Sequence, residues 1–381
     1  MKGVEEQART RADDGSADAT PAPYAPVRAA PVPAAPARRP RGLAFELVAL
    51  GVIAVLLIAA LGAGAAVVYD RLYSPAAFVT RYLDLLAQGR AADALELPGV
   101  ATDSSALEGA GLPSGASDAL LRREALAPLR DIRVVATQQE EGGISVVTMS
   151  YSAGPHDGAT TFRVERAGTV GIAPTWRFAQ SPLALVDLTL TGSRQFRVNG
   201  FELDTRQASP DGAELDPAAS VPLLVFAPGL YSVDIDTPIA TSAGVAVLAD
   251  TPQARTPVAI EAQPTPEFVD VVQTQVSGFL DECATQQVLQ PTGCPFGFVV
   301  HNRITAAPEW SIATAPTIAV EPDGAGWTIP RTDAVAHIRV DVRSLFDGSV
   351  RHVDEDVPFS FTGTIEILPD GAASIQLTPV D

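Results

Sequence analysis

The longest apolar run in the chain covers residues 47–68, which include no charged residue and no strong hydrogen-bonding side chain. At about 1.5 Å per residue it would measure roughly 33 Å as a helix, close to the thickness of a bilayer's hydrocarbon core. A single segment surrounded by lipid can satisfy all of its backbone hydrogen bonds only if it forms a helix. The pattern therefore predicts a transmembrane helix over residues 43–69, between a short tail and a long C-terminal part.

Arginines set the predicted orientation of this helix. The arginines nearest before the run are Arg28, Arg38, Arg39 and Arg41. After it, Arg71 is offset by Asp70. An excess of positive charge before the span predicts a cytoplasmic N-terminus and extracytoplasmic C-terminal domains, hence a single-pass protein of the cell membrane. A cleaved signal peptide is the alternative, since small residues such as Ala63 and Ala65 could serve a peptidase.

Residues 1–42 are rich in proline and alanine and have too few large apolar residues to form a core. This composition predicts a disordered cytoplasmic tail. Two functions are compatible with it. The tail could dock a cytoplasmic partner, with Ser16 and Thr20 as candidate phosphorylation sites, or it could be a solvated leader that only sets the topology.

A helical pattern begins at Ser74-Pro75, where serine suits the N-cap and proline suits the first helical position. Gly89 ends this helix, a short second helix reaches about Leu97, and a further helix is expected over residues 118–126. The pattern then changes to period two, which predicts antiparallel strands at residues 132–137, 144–151, 160–165 and 176–178. Residues 74–190 are therefore predicted to form an α+β roll.

Residues 191–263 have no helical pattern. Asn199-Gly200 is a strong signal for a type I′ hairpin turn between two short strands. Further strands are expected at residues 221–226, 230–235, 244–249 and 257–261. The segment is predicted to be a small β-sandwich module.

Residues 264–381 return to a helix followed by strands. Apolar residues at helical spacing predict a helix over residues 267–286, and an extended segment is expected at residues 296–300. Long alternating stretches, separated by turns at Asp347-Gly348 and Asp370-Gly371, predict a four-stranded meander. The expected fold class is thus α+β, with one transmembrane helix followed by an antiparallel-sheet ectodomain.

The overall charge excludes several functions. The chain has 26 basic and 45 acidic residues and a formal net charge of −19. So acidic a protein should repel nucleic acid and an anionic membrane face. Lys2 is the only lysine, so the ectodomain cannot contain a P-loop, a Ser-x-x-Lys acylating pair or a lysine Schiff base.

The only two cysteines are Cys283 and Cys294. A close pair outside the cell is typical of one disulfide, which would stabilise the fold by about 3 kcal/mol by closing a loop of about 12 residues. A redox or catalytic thiol is the alternative, although the spacing is not Cys-x-x-Cys. The four histidines are scattered through the sequence: His156, His301, His337 and His352. We therefore predict no metal and no cofactor.

Two groups of polar residues are candidates for chemistry. His337, Arg339 and Asp341 share one face of a predicted strand, and Ser360 or Thr362 on the next strand could supply a nucleophile. The alternative is the solvated face of an antiparallel sheet, which we favour. The second group comprises the acidic run Asp354-Glu355-Asp356 and the pair Asp234 and Asp236 on one strand face, and neither stretch has the ordered loop of a calcium site. We therefore predict no catalytic, cofactor-binding or metal-binding residue.

Several stretches resemble known domains. The opening of helix, glycine and short helix, together with Trp176-Arg177-Phe178, resembles the cystatin-like roll of nuclear transport factor two-like domains. Val198-Asn199-Gly200, with the stretch at residues 227–233, resembles the β-sandwich repeats of bacterial envelope proteins. The overall order is similar to that of teicoplanin-resistance-associated membrane proteins, but the zinc-ribbon cysteines of that group are missing.

This resemblance implies a non-enzymatic, membrane-anchored envelope protein that binds or scaffolds other components. Its expected partners are the lipid bilayer, through one helix, and an envelope protein or wall polymer, but no nucleic acid. Two alternatives remain open: a hydrolase of cell-wall polymers, and a single-pass transmembrane sensor with a cytoplasmic docking tail.

Overall fold

A computed structural model describes residues 43–100, 104–109, 111–171, 173–214, 216, 219–368 and 372–380. The predicted tail at residues 1–42 and the Asp370-Gly371 turn lie outside these residues. The helices are α1 (Leu43–Tyr73), α2 (Pro75–Ala87), α3 (Ala91–Leu95), α4 (Ser104–Gly109), α5 (Thr205–Ala208) and α6 (Pro266–Ala284). All β structure follows α4, so the architecture is a mixed α+β fold with mostly antiparallel sheets.

The membrane prediction is corrected by the structure. Among the described residues, no helix is both long enough and apolar enough to cross a membrane. This finding contradicts the predicted transmembrane helix over residues 43–69 and the single-pass localisation in the cell membrane that depended on it.

The first sheet follows the predicted pattern. Ser74 caps α2 by accepting a hydrogen bond from the N–H of Ala77, and Pro75 occupies the first turn. The four strands pair in sequence order, each antiparallel to the next. They are β1 (Leu129–Gln139), β2 (Ile144–Ala153), β3 (His156–Val170) and β4 (Ala173–Phe178). The strands predicted here are confirmed, but the helix predicted at residues 118–126 is wrong, because only the 3-10 turn Arg123–Ala125 forms there.

Residues 183–264 contain two larger sheets and a two-stranded pair. Their strands are β5 (Leu183–Thr191), β6 (Gln195–Val198), β7 (Phe201–Asp204), β8 (Val221–Phe226), β9 (Gly229–Asp234), β10 (Ala240–Thr241), β11 (Val245–Ala249), β12 (Arg255–Glu261) and β13 (Gln263–Pro264). One sheet has the order β12-β5-β8 and the other the order β11-β9-β6-β7. The Asn199-Gly200 hairpin is confirmed. The β5–β12 pair is parallel, which the local pattern did not indicate.

The last sheet has six strands rather than the predicted four. They are β14 (Arg303–Ile304), β15 (Glu309–Thr314), β16 (Glu321–Asp323), β17 (Gly326–Arg343), β18 (Val350–Ile367) and β19 (Ala373–Val380). The 18-residue strands β17 and β18 form its central ladder. Because β17 is so long, β14, β15 and β16 each pair with a different part of it. The extended segment predicted at residues 296–300 is not a strand.

Two hydrophobic cores meet at the β12-β5-β8 sheet. Leu224 and Phe226 of β8 join the core that contains Tyr82, whereas Leu223 and Val225 join the core that contains residues of α6 and β17. Strand β5 alternates in the same way, because Leu183 and Leu185 join the first core and Ala184 and Val186 the second. A strand covered on both faces reads as a continuous apolar run, as these two do.

Two tyrosines are buried where the cores meet. Tyr82 donates a hydrogen bond to the carbonyl oxygen of Ala227 at 3.1 Å. The Tyr231 hydroxyl accepts from the N–H of Phe226 at 2.9 Å and donates to the carbonyl oxygen of the same residue at 3.1 Å. Burial raises the pKa of both tyrosines above the usual value, and the proximity of Tyr231 raises that of Tyr82 further. The folded state therefore favours the protonated phenols.

Replacing Tyr82 with phenylalanine should lower the free energy of unfolding at neutral pH by about 1 kcal/mol, because the Ala227 carbonyl loses its donor. Above about pH 10, unfolded tyrosine ionises while the folded phenol keeps its proton, so the wild-type protein should lose stability as the pH rises. The variant should lose less over that range. Urea unfolding across neutral and alkaline pH measures both effects. Tyr73→Phe, at a side chain that is 41% exposed, should change neither quantity.

Candidate functional site

Cys283 and Cys294 form a disulfide, and this predicted pairing is confirmed. Cys283 is buried near the end of α6, and Cys294 lies in the loop that follows, next to the core. The indole N–H of Trp310 on β15 donates to the carbonyl oxygen of Val288 inside the same loop. The bond therefore fastens the end of α6 to a loop that is also held by the C-terminal sheet.

The polar residues predicted on β17 and β18 do converge. We call His337, Arg339, Asp341, His352, Asp354 and Asp356 the polar face. His337 Nδ1 lies 2.8 Å from Asp356 Oδ1, and its Nε2 lies 2.8 Å from Asp354 Oδ1. His352 Nδ1 lies 2.8 Å from Asp341 Oδ1. Both nitrogens of His337 thus face carboxylates.

Asp354 is the centre of the polar face. Its carboxylate also lies 3.2 Å from Arg339 Nε and 3.8 Å from His352 Nε2. One acid therefore contacts two histidines and an arginine. The close approach of His337 Nε2 to Asp354 is a short contact rather than an aligned hydrogen bond, because that nitrogen has no hydrogen-bond partner of suitable geometry.

The predicted nucleophiles do not join this group. Ser360 donates to Asp333 Oδ1 at 2.7 Å and accepts from Arg331 Nη2 at 3.0 Å. Thr362 pairs with Thr378 on β19, and in the β17–β18 ladder it lies beyond Ser360 from the polar face. Backbone register instead places Ser311 of β15 opposite His337. The six side chains of the polar face form a network of contacts between basic and acidic groups.

The other predicted acidic pair has a partner that sequence reasoning missed. Arg197 of β6 contacts Asp234 through Nη2 and Asp236 through Nη1, the latter at 2.7 Å. The hydrogen bond to Asp234 raises the pKa of Arg197. The two aspartates thus hold an arginine. Across the part of the chain that the structure describes, no group of three histidine, cysteine or acidic side chains could hold a metal ion.

A cleft of about 1030 Å³ lies between α2 and β1, and we call it the α2–β1 cleft. The residues lining it are Arg71, Leu72, Ser74, Ala76, Ala77, Thr80, Arg81, Asp84, Leu85, Gln88, Arg90, Asp93, Glu96, Leu97, Pro98, Val134 and Thr137. Three arginines and three acids balance its charge. The hydrogen bond from Arg90 holds the pKa of Asp93 below its usual value. The cleft therefore has mixed polarity and a charged rim.

Strand β1 lies at one end of its sheet, with β2 as its only neighbour among the described strands. From Val134 to Gln139 it has no charged residue. Val134 is 47% exposed and Val135 is 61% exposed, and the pairing with β2 is interrupted by an irregularity between Val134 and Ala136. Edge strands in natural proteins are usually protected by lysine, proline or a covering element. This part of β1 has no lysine or proline, and its Val134 faces the cleft.

The sequence did contain a signal for this site. Apolar residues at both Val134 and Val135 break the alternation expected of a strand with one buried face. The opposite wall of the cleft could not be recognised in the same way, because α2 precedes β1 by more than forty residues.

No family model, no curated protein and no solved structure matches this chain. The resemblance to tandem-roll envelope proteins consequently remains a prediction, and the site is interpreted from its own geometry.

Removing the disulfide tests its role in stability. The double variant Cys283→Ser, Cys294→Ser should lose about 3 kcal/mol of unfolding free energy, because the unfolded chain gains the freedom of an open loop. Urea unfolding measures the loss. Wild-type protein treated with a reducing agent is the control and should match the variant. Equal stability of the oxidised wild-type protein and the variant would contradict the prediction.

Proposed function

We propose that this chain is a non-enzymatic binding and scaffolding protein that holds an extended segment of a partner in the α2–β1 cleft. One observation carries the proposal: the uncharged end of an edge strand, with exposed valines, borders a cleft of about 1030 Å³. The proposal concerns the kind of ligand and the mode of binding.

The edge of β1 supplies the binding chemistry. An edge strand presents unpaired N–H and C=O groups that an incoming strand can complete. Val134 and Thr137 face the cleft, so alternate side chains of the bound segment would contact them. Backbone hydrogen bonds would provide affinity, and the two side-chain sites would provide selectivity.

The cleft also suits an extended chain better than a small molecule. Its volume of about 1030 Å³ lies at the upper end of the range for small-molecule pockets, and it is open to solvent. Three cationic and three anionic side chains at the rim favour a partner segment of mixed or neutral charge. A strongly charged polymer would be attracted by three of these side chains and repelled by the other three.

The polar face supports a non-enzymatic role. A general base needs a free nitrogen within reach of the proton that it removes. Both nitrogens of His337 face carboxylates 2.8 Å away, and Ser360 is bonded to Asp333 instead. The hydrolase alternative would need these contacts to rearrange.

We also propose the finer domain architecture suggested by the sequence. Helix α2 with the β1–β4 sheet supports a cystatin-like roll that ends before β5, slightly earlier than the boundary at residue 190 that the sequence suggested. The two larger sheets of residues 183–261 support a small β-sandwich, and α6 with the six-stranded sheet supports a second roll. The core shared by the latter two parts favours a scaffold in which they act together.

A displayed library of random peptides tests the binding mode. Peptides that the wild-type protein selects should protect β1 backbone amides from hydrogen exchange, because a bound strand covers the free edge. Val134→Lys should weaken binding of those peptides by about tenfold or more, since a charge then lies in the cleft. Titration calorimetry and hydrogen exchange measure the two effects.

Val170→Lys is the matched control, because Val170 is an exposed valine on β3 of the same sheet, outside the cleft. This variant should bind the selected peptides like the wild type. Peptides that bind equally well to both variants, or that protect another sheet, would refute the proposed site. Fragments released from isolated cell-wall polymer would favour the hydrolase instead.

A further inference from the structure

The hairpin between β17 and β18 ends in two unusually exposed apolar side chains. Leu345 is 73% exposed and Phe346 is 100% exposed. No other large apolar side chain that the structure describes is as exposed as Phe346. We call residues 344–349 the hairpin tip. Single exposed apolar residues are common on protein surfaces, but a fully exposed phenylalanine next to an exposed leucine forms a protruding apolar patch.

The backbone of the hairpin tip needs no water to satisfy its donors. All six of its N–H groups have acceptors within the protein. Two of these groups donate to backbone carbonyls: Ser344 N–H to Ser349 O and Gly348 N–H to Ser344 O. The other four donate to side chains: Leu345 to Asn302 Oδ1, Phe346 and Asp347 to Ser344 Oγ, and Ser349 to Asp347 Oδ1. An unpaired N–H is costly in an apolar layer. The tip can therefore enter such a layer without leaving a donor unpaired.

Two arginines lie beside the hairpin tip without a counter-charge. Arg303 of β14 is directly opposite Arg343 of β17, and both are exposed. Within the described residues neither guanidinium forms an ion pair. Like charges directly opposite one another destabilise a sheet. In a chain with a net charge of −19, an uncompensated pair of arginines points to an anionic ligand.

The shape of the tip narrows the choice of ligand. A convex apolar tip can be buried either in a complementary pocket of a protein or in a deformable surface. The interface of a lipid bilayer accepts such a tip without a preformed pocket and places aromatic side chains at the level of the headgroups. We propose that the hairpin tip binds the surface of an anionic bilayer, with Leu345 and Phe346 in the interface and Arg303 and Arg343 on lipid phosphates.

This contact is made by a hairpin and includes no membrane-crossing segment. The net charge of the whole chain opposes it, but charges further away than a Debye length of about 8 Å are largely screened at physiological salt. Asp347 is the acid within the tip, and hydrogen bonds from Ser349 and Ser344 hold its pKa below the usual value. Its charge should weaken the contact, so Asp347→Asn should strengthen binding.

A local fluorescent reporter tests the proposal on the full-length chain. In Phe346→Trp, the new tryptophan should shift its emission to the blue when phosphatidylglycerol-containing vesicles are added. Lipids with brominated acyl chains should quench it. Val170→Trp is the matched control, because Val170 is 74% exposed at the end of another strand. Its emission should not change, and the wild-type signal from the native tryptophans is subtracted from both.

The arginines are tested in the same reporter background. Arg303→Gln with Arg343→Gln should weaken binding to anionic vesicles by about tenfold or more, and added salt should have a smaller effect on this variant than on its parent. Vesicles of phosphatidylcholine alone should bind both proteins weakly and equally. Circular dichroism confirms that each variant is folded.

Three results would overturn the proposal. One is the absence of quenching at position 346 with anionic vesicles, and another is equal quenching at positions 346 and 170. The third is a blue shift that depends on protein concentration and occurs without vesicles, which would show that the tip binds a second copy of the chain instead.

Discussion

The burial of β5 and β8 on both faces is the constraint on which the rest of the structure depends. Leu224 and Phe226 pack towards the core beneath α2, and Leu223 and Val225 pack towards the core that continues to β17. A one-residue shift in register would send each of these side chains into the wrong core. The β12-β5-β8 sheet therefore couples α2 and the β1–β4 sheet to the rest of the described chain.

Local pattern was sufficient for the hairpins. Alternation located β1 to β4, β17 and β18, and Asn199-Gly200 located the β6–β7 turn, because neighbouring strands and tight turns are determined by nearby residues. The parallel β5–β12 pair could not be found in this way, since its partners lie about seventy residues apart.

Residues 118–126 show why helical spacing can mislead. In place of the predicted helix, this stretch divides between the two cores, because Leu120 packs into one core and Leu121 into the other. The backbone of Ser117 bonds instead to Pro222 and Leu224 of β8. The apolar residues of this stretch therefore pack into two different cores and do not form one face of a helix.

For the site, sequence reasoning found the polar groups but not what surrounds them. The side-chain period of a strand placed His337, Arg339 and Asp341 on one face. The period could not show that Arg197 lies between Asp234 and Asp236, or that α2 forms the wall opposite β1, because both depend on tertiary packing. The membrane prediction was wrong, because among the described residues no helix is both long enough and apolar enough to cross a membrane.

The hydrogen bonds that hold the backbone of the hairpin tip do not involve the apolar side chains that the tip exposes. Ser344, Asp347 and Asn302 hold the loop, whereas the side chains of Leu345 and Phe346 take no part in holding it. Evolution could therefore replace these two residues without a loss of folding stability. Related chains could keep this loop and differ in what it contacts, and new specificity would then require only two substitutions.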